Sequence, residues 1–198
     1  MPDQKITTND IRSIAVYCGS NIGLGNQYLE AAVDLGRYLA DKGIRVVYGG
    51  THKGLMGALA DAALQDGGEV YGVISQRLHD KGHLHQGLTG HEILQTMKER
   101  KHRMIDLADA FIALPGGIGT LEEFMEVWTL NQLGELDKPA GLFSVGGYYQ
   151  PFMAFIDHMI AQSFLPAAHR GSIVVEDQAA TLVRGLLRFQ KVDVPKWL

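Results

Sequence analysis

Short apolar runs that end near glycines and hand over to a helical repeat constrain this chain more than any other feature. They fall at 14–17, 45–48, 70–74, 110–114, 140–145 and 173–175. These runs are largely apolar instead of alternating, which predicts strands buried on both faces. Apolar residues at helical spacing predict helices over 26–41, 55–65, 95–108, 120–133, 149–163 and 178–190. Strands that alternate with helices in this way form a parallel sheet covered on both sides, joined by right-handed crossovers. The expected fold is therefore α/β, a Rossmann-like doubly wound, mainly parallel sheet with helices on both faces. No linker divides the chain, so residues 1–198 read as one nucleotide-binding domain, with 1–11 loosely held. Segment 75–92 has three glycines and His79, His83, His85 and His91 but no periodicity. It is expected to be a long loop at the mouth of a site.

Charge and composition narrow the function. A net charge of −4 lacks the basic excess of a nucleic-acid-coating surface. Cys18 is the single cysteine, which excludes an internal disulfide framework and suits a reducing compartment. The first residues carry no apolar core of a signal peptide, and no apolar run reaches the length of a membrane span. A cytoplasmic protein without a membrane or nucleic-acid partner is expected.

In doubly wound sheets, ligands bind beyond the carboxyl ends of the strands. Three glycine loops, 19–25, 49–57 and 116–119, are placed at that edge. The last is the most informative. After the apolar run 110–114 come Pro115, Gly116, Gly117, Ile118 and Gly119, and Thr120 is expected to open a helix. Free backbone N–H groups and the helix dipole then converge where a phosphate can sit. The first loop has Gly23 and Gly25 but Tyr28 in place of a third glycine, so it is no clean dinucleotide fingerprint. The second lacks the Gly-Lys-Ser/Thr ending of a P-loop.

Two charged residues stand out. Arg100 interrupts a stripe formed by Met97, Met104 and Leu107, whereas Lys98, Glu99 and Arg103 can point to water. A buried arginine needs a counter-charge, from a structural ion pair or from a substrate anion. Glu123 falls with Thr120, Val127 and Leu130 on a mostly apolar face. It serves either as the far half of a capping box with Thr120 or as a catalytic carboxylate. The histidines of 75–92 lack the further ligands of a metal site. Cys18 has no evident partner base and reads as a buried small residue. Tyr148, Tyr149, Phe152 and Phe155 read as helix core or subunit contact.

The motif Pro115-Gly116-Gly117-Ile118-Gly119-Thr120-Leu121-Glu122-Glu123 matches P-G-G-x-G-T-x-x-E, and Met97-Lys98-Glu99-Arg100-Lys101 matches M-x-x-R-K. With Cys18-Gly19-Ser20 and Gly49-Gly50…Gly54-Leu55-Met56-Gly57, the chain resembles the LONELY GUY family over about residues 12–190. These proteins are cytokinin riboside 5′-monophosphate phosphoribohydrolases, often labelled lysine decarboxylases. Asn21 and the run Thr51-His52-Lys53 depart from the family pattern and bear on which base is preferred.

The resemblance implies hydrolysis of an N6-modified adenosine 5′-monophosphate to free base and ribose 5-phosphate. Its substrate is of the AMP or isopentenyl-AMP type. It places catalysis on Arg100 and Glu123, and phosphate and ribose binding on Gly116, Gly117, Gly119 and Thr120. Ser20, Gly50 and Met97 are further nucleotide contacts. It also implies a homodimer that needs neither metal nor organic cofactor. The competing reading is a nucleotide carrier or sensor without hydrolytic activity; a phosphatase and a lysine decarboxylase fit the residues less well.

Overall fold

The computed structural model describes residues 9–191. Seven parallel strands form one sheet in the order β4-β3-β2-β1-β5-β6-β7. They are β1 (Ser13–Tyr17), β2 (Arg45–Tyr48), β3 (Val70–Ser75), β4 (Gly90–Leu94), β5 (Ala110–Ala113), β6 (Ala140–Phe143) and β7 (Val174–Glu176). The helices are α1 (Gln27–Asp41), α2 (Gly54–Gln65), α3 (Gln76–Asp80), α4 (Met97–Leu107), α5 (Ile118–Leu133), α6 (Gln150–Ala161) and α7 (Ala179–Arg188). Successive strands add outward from β1 to β4, and the chain then crosses back to place β5 on the other side of β1. The β1/β5 junction is thus the switch point at which a doubly wound sheet opens a crevice.

Alternate residues along the strands feed two cores. Ile14, Val16, Val46 and Tyr48 pack with Leu35 and Leu39 of α1, Leu55 and Leu59 of α2, and Leu182 and Leu186 of α7. Ala15, Tyr17, Val47 and Phe111 pack with Met104 of α4, Phe124 and Trp128 of α5, and Met153 and Ile156 of α6. Helices α4 and α5 therefore lie on the same face of the sheet, which lets their polar side chains meet at its carboxyl edge.

Several expectations change. Segment 75–92 is not one loop: it contains α3 and the start of β4, leaving about 81–89 irregular. Strand β4 is a half-exposed edge strand that carries His91 and Glu92, so it lacks the apolar run that marks the central strands. Helix α5 begins at Ile118, with Gly117 as its N-cap, and so Thr120 lies inside the first turn. The capping box stands elsewhere, at α4: the Thr96 hydroxyl accepts from Glu99 N–H at 3.1 Å, and the Thr96 N–H donates to Glu99 Oε2 at 2.9 Å. Arg103 forks onto Glu92 of β4 and does not simply point to water. At the N-terminus, residues 1–8 lie outside the described residues. Asn9 is tied to α7, its side-chain amide donating to the carbonyls of Leu186 and Phe189. Among the described residues, no helix is long and apolar enough to cross a membrane.

Candidate active site

A cavity of about 520 Å³ opens at the carboxyl edge of the sheet, beside the switch point. Loop 18–21 after β1, residues 49–56 after β2, Leu78 and His83, helix α4 and the start of α5 form its walls. A smaller cavity of about 300 Å³ adjoins it across Gly19, Ser20, Asn21 and Gly117.

The α5 wall is the anion-facing one. Gly117 is extended at the N-cap and gives no side-chain cap to the first N–H groups of the helix. A Cβ on Gly117 or Gly119 would meet no atom of the other described residues outside its own turn within 4 Å, and both glycines line the cavity. Gly116 is different, since a Cβ there would lie 2.1 Å from the Thr120 hydroxyl. Only glycine lets the buried Thr120 close against the turn. Two phenols brace this turn from outside: Tyr149 donates to Leu114 O and Tyr148 to Gly116 O, each at 2.6 Å. Of the four aromatic residues read as core or contact, these two thus fix the glycine turn.

Opposite the turn, Arg100 of α4 reaches Glu123 of α5. Arg100 Nη1 donates to Glu123 Oε1 at 2.8 Å, and Arg100 Nε donates to Val73 O at 2.9 Å. Both side chains are nearly buried, at 8% and 14% exposure. Met97 Sδ, 3.4 Å from Nη1, completes the arginine's surroundings. Gly49 leaves room for the guanidinium: a Cβ there would be 2.5 Å from Nη2. Glu123 therefore pairs across helices and does not cap its own. Burial pushes its carboxyl above the usual range, and the charge and hydrogen bond of Arg100 only partly draw it back. A carboxylate in this state is poised between protonated and ionised forms nearer neutrality than an exposed glutamate.

The cavity brings together Ser20, Met97, Arg100, Gly117, Gly119, Thr120 and Glu123. Gly116 lines the adjoining cavity instead. Gly50 lines neither: its φ of +74° makes the turn after β2, and its carbonyl accepts from His85 N–H at 2.9 Å. Neighbouring Gly49 faces the cavity in its place.

Sequence reasoning placed loop 49–57 and segment 75–92 at the site but gave no individual role to the wall residues Thr51, Lys53, Met56, Leu78 and His83, nor to Lys101. Lys101 follows Arg100 in the M-x-x-R-K element and lies between Glu122 and Glu126, whose Oε2 is 3.0 Å from its Nζ. Burial alone would lower its pKa, but the two carboxylates raise it above the ordinary value. Cys18 also touches the cavity, yet burial pushes its thiol far up, so it is no thiolate nucleophile. Among the described residues, no three histidine, cysteine or acidic side chains group as a metal site.

A sequence model described as "Possible lysine decarboxylase" matches residues 56–186. The cytokinin riboside 5′-monophosphate phosphoribohydrolase of Rhodococcoides fascians is 43% identical over 83% of this chain and 83% of its own. The rice enzyme of the same name, LOG, from Oryza sativa subsp. japonica, is 44% identical over 87% of this chain and 71% of its own. The chain belongs to the LONELY GUY family. Among solved structures, the molybdenum cofactor carrier protein of Chlamydomonas reinhardtii superposes with a TM-score of 0.66 at 20% identity. That match spans 88% of this chain and 96% of the carrier. It speaks for the fold alone. For a LONELY GUY protein, the short buried Arg100–Glu123 pair joins the two sequence motifs at one cavity wall.

Proposed function

We propose that this chain hydrolyses the N-glycosidic bond of adenosine 5′-monophosphates bearing an N6 substituent, releasing the free base and ribose 5-phosphate. The observation that carries the proposal is the Arg100–Glu123 ion pair beside the uncapped N-terminus of α5. The phosphate is held by the N–H groups of the Gly117–Thr120 turn, which sets the sugar against Glu123. Departure of the base leaves a sugar with oxocarbenium character, as in glycoside hydrolysis. Ionised Glu123 faces that positive charge and accepts the proton of the water that attacks C1′, and the departing base takes up one proton to leave neutral. Arg100 holds Glu123 Oε1, favours its ionised form and leaves Oε2 without a protein donor among the described residues. Met56, Leu78 and Met97 offer apolar wall to the base. Fixing phosphate and carboxylate on one helix lowers the barrier by orientation.

Incubation with AMP and with isopentenyl-AMP, followed by product separation, tests this reading. Free base is the expected product. Release of nucleoside would indicate a phosphatase, and an unchanged nucleotide a carrier. The Gly49→Ala variant sharpens the assay, because its Cβ would displace Arg100 Nη2 and press on Met56 Sδ at 2.9 Å. Turnover is expected to fall about tenfold to a hundredfold, since an ångström of misplacement has effects of this order. Full activity in this variant would detach Arg100 from the chemistry.

The chain works as one Rossmann-like domain without metal or organic cofactor, in the cytoplasm, where a lone buried cysteine is at home. Its working form is a homodimer. Phe155 and Phe164 are 58% and 84% exposed, apolar surface of the kind that subunit contacts cover. Light scattering on the purified protein is expected to give twice the chain mass.

A further inference from the structure

Charge along the cavity wall is largely neutralised within the protein. Arg100 meets Glu123, and Lys101 lies between Glu122 and Glu126. Lys53 is the exception: among the described residues, no carboxylate pairs with its ammonium. Its partner is His83, whose Nε2 lies 3.2 Å from Lys53 Nζ. An ammonium has only donors, so Nε2 accepts and the ring proton sits on Nδ1. The imidazole is then neutral. It positions the cation without cancelling its charge.

The pair is braced on both sides. Lys53 is the N-cap of α2, in extended backbone, and its N–H reaches Thr51 Oγ1 at 3.3 Å. Leu55 N–H donates to Gly19 O at 3.1 Å, which ties the start of α2 to the first glycine loop. Across from them, His52 N–H donates to His83 O at 3.2 Å, Thr51 bridges to Leu84, and His85 Nε2 meets Asp61 Oδ1 at 2.9 Å. Burial and the charges of Lys53, His52 and Lys81 push the His83 imidazolium down, which agrees with the neutral ring.

We propose that Lys53, positioned by His83, is the cation that binds the nucleotide phosphate in the cavity it shares with the N-terminus of α5. This inference rests on the nucleotide reading above. A phosphate monoester carries about −1.5 to −2 charges at neutral pH, whereas a helix N-terminus offers roughly +0.5. The other cations of the wall are already paired, so Lys53 supplies the missing charge. A nucleoside without phosphate takes nothing from it. Lys53 thereby selects nucleotides over nucleosides, and it stands in the run where this chain departs from the family pattern.

Calorimetric titration with AMP, adenosine, ribose 5-phosphate and inorganic phosphate tests the proposal, with Glu123→Gln as background to prevent turnover. Lys53→Met is expected to weaken AMP and ribose 5-phosphate about tenfold, the scale of a charge-assisted contact open to water, and to leave adenosine unchanged. Lys53→Arg should retain most of the affinity. His83→Ala should lose part of it, and His83→Gln, which keeps an acceptor, should recover that part. Equal AMP affinity in Lys53→Met, or an equal loss for adenosine, would overturn the role. The binding readout stands apart from catalysis: phosphate ligands weakened by Lys53→Met in a protein that never releases base would keep the cation site and remove the hydrolase.

Discussion

Replacing Glu123 by Gln is expected to lower turnover of the N6-substituted adenosine monophosphate roughly a thousandfold or more, the scale at which general bases and electrostatic stabilisers act. Glutamine preserves volume and keeps an oxygen where Arg100 Nη1 now donates at 2.8 Å. The helix pairing therefore persists, and the α5 turn that faces the phosphate is untouched. What disappears is the carboxylate charge that, on the proposed mechanism, lies beside C1′ and takes a proton from water. The dissociation constant for AMP should change by no more than about threefold, because uniform binding is left intact. A variant that still released free base at the native rate would reduce Glu123 to a structural partner of Arg100. A variant that lost AMP binding altogether would instead make the carboxylate part of the binding surface.

The readable and unreadable parts of this molecule differ for a physical reason. Central strands such as β1 and β5 are fully buried, so burial imposes uninterrupted apolar runs that stand out in a sequence. Edge strand β4 has no such requirement, and its residues read as loop. Arg100 was conspicuous because a cation on an apolar stripe demands a partner. Glu123 was ambiguous because the same letters that match a catalytic motif also spell a capping box. That ambiguity depended on where α5 starts, and a three-residue shift of the N-cap from Thr120 to Gly117 removed it. Thr96 and Glu99 spell the same box before α4, where the arginine drew attention away. Lys53, His83 and Gly49 lie in segments that the sequence placed near the site, but their individual places on the wall were illegible for a third reason. Their place on the wall follows from loops 49–53 and 81–89 being hydrogen-bonded to each other, a pairing that local spacing does not encode.

Removing Arg100 should damage both stability and chemistry, with a dependence on pH that identifies the cause. In Arg100→Met, the apolar stem is roughly conserved, but Glu123 is left nearly buried without its cation, and Val73 O loses the Arg100 N–H. Breaking a buried pair in this way destabilises by about 3–5 kcal/mol. Glu123 already titrates above its ordinary value because burial outweighs the pull of Arg100. Without that pull its folded-state pKa rises further. A carboxyl whose folded pKa exceeds its unfolded one binds more protons when folded, so its favourable contribution is present below the unfolded pKa. That contribution is lost as pH rises through the folded value. The stability difference between native and variant proteins should therefore be largest at alkaline pH. It should shrink toward the ordinary carboxylate range, where protonated Glu123 no longer needs a cation, and leave a residue of about 1 kcal/mol for the Val73 bond. Urea unfolding across that interval measures it. Any residual activity should show its acid limb displaced to higher pH, since the proposed mechanism uses ionised Glu123. A stability difference independent of pH would mean that Arg100 acts through packing and its carbonyl bond, and the cavity would then lack the coupled pair on which the proposed hydrolysis depends.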